Sequence, residues 1–156
     1  MGFAVSIDDA KGYKDILPAA GRYEAEIIKA KEGKTRQGGP LSRGKIDLRF
    51  KVLDTIPNGR ADEIDVDEYE NPIDSIQFST IYMVAAHDQK NTVNMFKGRL
   101  RDWLTNFDVE AADPNKLEDN DFVDCVGGIV IKHEKRDKND KNSPLVARIE
   151  VSCPLD

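Results

Sequence analysis

Ten residues, Lys45–Asp54, constrain this chain more than any others. Ile46, Leu48, Phe50 and Val52 alternate strictly with Lys45, Asp47, Arg49 and Lys51. A period of two puts all four apolar side chains on one face of a strand, whereas on a helix it would scatter them around the axis. The stretch is therefore a half-buried strand with one apolar and one charged face. The preceding run Gly21–Ala30 reads as its partner. Between the two lie Lys31–Gly44, whose four glycines and one proline mark a loop. That loop carries Lys31, Lys34, Arg36 and Arg43 against one acid, Glu32. A basic hairpin loop inside an acidic chain is the feature on which a function can be built.

The rest of the chain adds three strands and a helix. Residues 1–20 read as an N-terminal arm, in which Phe3, Val5 and Ile7 alternate, Tyr13, Ile16 and Leu17 can tuck inward, and Pro18 ends the segment. Pro57-Asn58-Gly59 is a turn. Residues 61–74 form an acidic loop that lacks the central glycine and closing glutamate of a calcium-binding EF-hand. Ser75–Val84 is a third strand, with Ile76, Phe78, Tyr82 and Val84 on one face. Beyond Asn91-Thr92, a helix start signal, Phe96, Leu100, Trp103, Leu104 and Phe107 make one helical stripe. Phe122–His133 reads as a fourth strand, with Gly127-Gly128 at a bulge or bend. After a polar loop, Leu145–Cys153 is the fifth. The expected class is mainly β. Five strands with one helix between strands 3 and 4 is the order of an OB-fold barrel, here spanning 21–156.

Charge segregation points to a polyanion despite the net charge of −6. Residues 22–51 hold nine bases against four acids, and 131–148 hold six against three. The acids concentrate in 54–74 and 108–124. In an OB-fold the face of strands 2 and 3, with the loops joining strands 1–2 and 4–5, binds oligonucleotides, and those two loops are the basic ones. Single-strand binding needs cations for phosphates and flat rings for bases. The candidate cations are Lys29, Lys31, Lys34, Arg36, Arg43 and Lys45 on one side and Lys132, Lys135, Arg136 and Arg148 on the other, with Arg49 and Lys51 between. Of eleven aromatic residues, Trp103, Phe96, Phe107, Phe50 and Tyr23 have a core explanation. Tyr82 and Phe78 are open to either role, and Tyr82 is taken as the stacking candidate.

Several pieces of the chain also resemble a family of phage and prophage single-stranded DNA-binding proteins. They are Leu17-Pro18 with Gly21–Ile27, Lys34-Thr35 with Gly38-Gly39-Pro40, Phe50–Asp54 followed by Gly59-Arg60, Phe122–Gly127 and Val130–His133. The likeness covers most of residues 17–154. It implies an OB-type fold and a role in phage replication or recombination, with single-stranded DNA and replication or recombination proteins of phage or host as partners; whether the chain forms a homo-oligomer is left open by the sequence. The expected compartment is the cytoplasm, the host's if the chain is phage-encoded. Ser42–Lys45 reads as extra chain relative to the family. Glu150–Asp156 does not form the long acidic tail by which many such proteins recruit partners, so recruitment is expected to use another surface.

Other classes find less support. No secretory leader or membrane span is expected, since no apolar run approaches the required length. Cys125 and Cys153 do not make a disulfide framework, and with His133 they lack zinc-ligand spacing. Gly33-Lys34-Thr35 is only the end of a phosphate-cradling motif, and no Gly-x-Ser-x-Gly turn occurs. His87-Asp88 reads as a surface turn. No catalytic residue, metal or cofactor is expected. The competing reading is an OB-fold protein-interaction module that uses its acidic loops. The basic-loop reading has a direct consequence: Lys34→Glu combined with Arg36→Glu weakens single-strand binding while leaving the fold intact, and unchanged affinity in a gel shift would remove that loop from the site.

Overall fold

A computed structural model describes residues 17–35, 42–56, 69–113 and 115–155, with the isolated positions 2, 4 and 12. The arm residues Phe3, Val5, Ile7, Tyr13 and Ile16, the loop tip with Arg36 and Gly38-Gly39-Pro40, Pro57–Arg60 and the acidic run 61–68 lie outside these residues.

Five antiparallel strands form one sheet in the order β3-β2-β1-β4-β5. They are β1 (Gly21–Lys34), β2 (Gly44–Thr55), β3 (Ile76–Tyr82), β4 (Val126–Lys135) and β5 (Leu145–Cys153). One helix, α1 (Lys90–Asn106), lies between β3 and β4, followed by a short 3-10 helix, Asp119–Phe122. No described residues join β3 to β5 by a ladder, so the sheet is open there, although Cα atoms of the two edge strands come within 8 Å. No described helix is long and apolar enough to cross a membrane.

β1 organises the sheet because it serves two partners. Gly21–Glu26 pairs with β4 on one side while Tyr23–Lys34 pairs with β2 on the other. Two register shifts interrupt the β1–β2 ladder, between Glu24 and Ala25 and between Ile27 and Lys29. Each shift adds local twist. Beyond the second, β1 leaves β4 behind: the Ile27 amide donates to the Cys125 carbonyl, and the Asp124 amide to the Ile27 carbonyl. The second half of β1 therefore continues as a two-stranded ribbon to Lys34↔Gly44, four residues past the expected strand end. Lys31 and Lys34 consequently sit on the strand rather than in the loop.

The inward faces match the alternation. Tyr23, Ala25, Ile27, Ile46, Leu48, Phe50, Val52, Ile129 and Ile131 are buried together. Trp103 and Phe107 close this core from the helix: Phe50 lies 5.7 Å from each ring, and Trp103 stacks on Phe107 at 5.4 Å. Tyr23 donates its hydroxyl to the Ala19 carbonyl at 2.9 Å, and burial pushes its pKa up to about 12. The arm's Leu17 is buried, and Pro18 bridges Glu70. His133 contacts the Pro18 carbonyl at 2.7 Å. A carbonyl only accepts, so this Nε2 carries the proton.

Four expectations change. The helix begins one residue before Asn91, with Gln89 at its cap and no side-chain capping bond. β4 begins at Val126, because Phe122 ends the 3-10 helix and the left-handed Asp124 (φ 70°) turns the chain into the strand. Gly127 and Gly128 sit at no bulge; Ala25↔Gly127 and Glu24↔Gly128 continue the β1–β4 register, and the shift in β4–β5 falls at Val130/Ile131. Their role is close approach. A Cβ on Gly127 would lie 2.4 Å from the Asn106 carbonyl oxygen, and one on Gly128 2.4 Å from that of Cys153. Finally, Gly44 and Lys45 belong to β2 rather than to an inserted loop. Gly127→Ala is expected to lower stability by about 1–3 kcal/mol through overpacking against backbone; urea denaturation followed by Trp103 fluorescence measures it.

Candidate functional site

The register of β1, β2 and β3 arranges their outward side chains in rows. Directly opposed residues on neighbouring strands share a face. Reading across the three strands gives Glu26–Lys51–Ile76, Lys29–Arg49–Phe78, Lys31–Asp47–Thr80 and Gly33–Lys45–Tyr82. Successive rows along this surface are about 7 Å apart. It carries Lys29, Lys31, Lys45, Arg49 and Lys51 against Glu26 and Asp47.

The outer edge of these rows is apolar. Ile76 and Tyr82 are exposed, and Phe78 is 64% exposed, far more than any other ring in the described chain. The Arg49 guanidinium lies over Phe78, 5.4 Å from its centroid, a cation–π arrangement. Sequence reading missed Phe78 because a strand's alternation does not say which face is inward. On β3 the buried residue is Ile81, flanked inward by Gln77 and Ser79. The richer apolar face points out.

The expected cations divide into two groups. The side chains of Lys29, Lys31, Lys34 and Lys51 are exposed and make no hydrogen bond or ion pair among the described residues; those of Lys135 and Arg136 are likewise exposed and unpaired there, while their backbones pair with Leu145 and donate to Pro144 respectively. Others are held by acids. Lys45 pairs with Asp47 at 3.2 Å, Lys132 with Glu150 at 3.5 Å and Arg148 with Glu134 at 2.8 Å. Exposed pairs of this kind contribute about 0–1 kcal/mol, so an incoming phosphate can displace them.

Arg43 is different. Its guanidinium grips Asp88 with both ends, at 2.6 and 2.8 Å, and also donates to the Met83 carbonyl. Only 14% of the Arg43 side chain and 2% of the Asp88 side chain are exposed. Asp88 further accepts the Ala85 amide, and Arg43 lies 4.6 Å above the Phe96 ring. The Arg43 fork, with help from the Ala85 amide, holds the Asp88 carboxyl down at about 2. Asp88 is thus buried, not a surface turn residue. Arg43 is a fastener: its backbone exchanges hydrogen bonds with Thr35 to close the β1–β2 loop, and its side chain ties that closure to the turn before α1.

The two basic tips sit at opposite ends of β1. The β1–β2 tip follows Lys34, whereas β4 pairs Ile131 with Gly21 and runs on past the start of β1 to Lys135. Phe96, expected in the core, instead lines an open cleft of about 330 Å³ between β3, β5 and α1, with its ring 6.3 Å from that of Tyr82. Arg99 of α1 and Arg148 of β5 share that cleft. Among the described residues, no group of three or more His, Cys, Asp or Glu side chains is placed to hold a metal ion. Burial, aided by Asp108, Asp124 and Asp121, pushes the Cys125 thiol up, away from a reactive thiolate. The chain matches no protein-family model and no curated protein.

The Asp88 carboxyl ordinarily titrates at 3.8 and is depressed in the fold. Its contribution to stability is therefore present above that value and lost as pH falls through about 2. Asp88→Asn is expected to be less stable than the parent by a constant margin above pH ~5. The margin narrows between pH ~4 and ~2, and thermal denaturation of both proteins across that range checks it.

Proposed function

We propose that this chain is a sequence-nonspecific single-stranded DNA-binding protein on an OB-type barrel, coating exposed strands during phage replication or recombination. The observation that carries the reading is the row Lys29–Arg49–Phe78, repeated in weaker form by Gly33–Lys45–Tyr82. Cations on β1 and β2 stand beside π-faces on β3 across one outward surface, which is what a strand of phosphates and unstacked bases requires. Aromatic faces accept any base, so such a surface carries no sequence code. The sheet order, with the helix between β3 and β4, supports that reading, since an OB barrel has the same element order. The approach of the β3 and β5 edges falls where such a barrel closes.

On this reading the strand crosses β1, β2 and β3. Lys29, Lys31, Arg49 and Lys51 neutralise phosphates, and bases stack on Phe78 and Tyr82. The bases of the two basic hairpins lie on either side of that path, at opposite ends of β1, instead of forming one cluster. Arg43 closes the base of the β1–β2 hairpin and does not itself face phosphate.

With about four phosphates neutralised, log K for oligo-dT falls against log salt with a slope near −3, as fluorescence anisotropy measures. Phe78→Ala lowers affinity by about 1–3 kcal/mol. Its denaturation midpoint shifts little, because the ring is mostly exposed and lies outside the buried core. No binding of oligo-dT at low salt would discard the proposal in favour of a protein-interaction module.

A further inference from the structure

We infer that the cleft between β3 and β5 is a pocket for one extruded base of the bound strand; this rests on the single-strand reading above. The opening is continuous with the outward face, because Phe78 and Tyr82 line both. It reaches the buried core at Ile81 and Trp103, beneath a lining that is polar for the greater part. Arg99, exposed on α1 and without an ion pair among the described residues, stands at the mouth.

Size and shape select the occupant. Cα atoms of β3 and β5 come within 8 Å. A strand inserted between them would need about 9.5 Å, twice the normal strand spacing. An added peptide strand is therefore excluded from the gap, while a flat ring enters it edgewise. The volume of about 330 Å³ lies at the lower end of small-ligand pockets, which fits one base rather than several. Ser79, half-buried on the inward side of β3, offers a hydroxyl with no hydrogen bond among the described residues. A base entering over Tyr82 and Phe96 would leave its phosphate at the rim beside Arg99, so the cleft takes the part of the nucleotide that the open face does not.

Trp103 is the chain's one tryptophan and lies in the cleft wall, so its fluorescence reports occupancy. The experiment compares a decameric oligo-dT with an abasic strand of equal length, read by anisotropy and by Trp103 emission. Two variants are used: Ser79→Leu, which fills the cleft from its β3 wall, and Arg99→Ala, which alters only an exposed helix position. The parent protein should show a Trp103 emission change with oligo-dT and none with the abasic strand. Ser79→Leu should lose that change and bind oligo-dT roughly tenfold more weakly, with abasic affinity unaltered. Arg99→Ala keeps the test sharp should Ser79→Leu fail to fold, and should weaken oligo-dT binding several-fold. Oligo-dT binding that is unchanged in both variants, with silent Trp103 emission, overturns the pocket and leaves the open-face reading standing. Absence of any oligo-dT binding by the parent protein overturns both.

Discussion

Everything in this molecule depends on β1 bonding two neighbours at once. A strand that pairs with β2 along one edge and β4 along the other cannot stay flat when its two partners diverge. The shifts at Glu24/Ala25 and Ile27/Lys29 are how the backbone meets that demand. They bring Tyr23, Ala25 and Ile27 together on the inside, under Phe50 and the α1 aromatics. By the same twist they turn Lys29 and Lys31 to the outside, level with Arg49 and Asp47. Core and outward face are two sides of one constraint.

The helix is the second partner in that arrangement. Trp103 and Phe107 cover the open end of the core, and the helix terminus comes close enough to β4 that only a residue lacking a side chain fits at Gly127. At its other end the turn before α1 is fastened to β2 through Asp88 and Arg43. A planar five-donor fork suits this position because it meets the carboxylate with two bonds while sitting over the Phe96 ring, a combination a lysine would not match. α1 is thus fixed at both ends, and the width of the β3–β5 cleft is fixed with it.

The sequence made part of this legible. Period-two alternation located β2 and β5, and the stripe Phe96–Phe107 located α1, because burial on one side leaves a periodic trace. β1 ran longer than expected since its far half, Lys31–Lys34, is a twisted ribbon with both sides wet and no apolar signal to mark it. The start of β4 was obscured by Phe122, whose burial belongs to a 3-10 turn. Phe78 was ambiguous because an exposed apolar face and a buried one have the same period; the choice fell to Ile81, which only the assembled sheet reveals. Asp88 was misjudged because its partner is 45 residues away. Contacts at that separation leave no local pattern.

The closure of the β1–β2 loop also bears on how the chain can be altered. Thr35 and Arg43 seal the hairpin by mutual hydrogen bonds, below which the ladder resumes at Lys34↔Gly44. These bonds close the ladder at its own end, before the span between them begins. Each doubling of such a span costs only about 0.6 kcal/mol. An epitope or a dye-bearing segment grafted there should be carried as cargo, with the platform beneath it undisturbed.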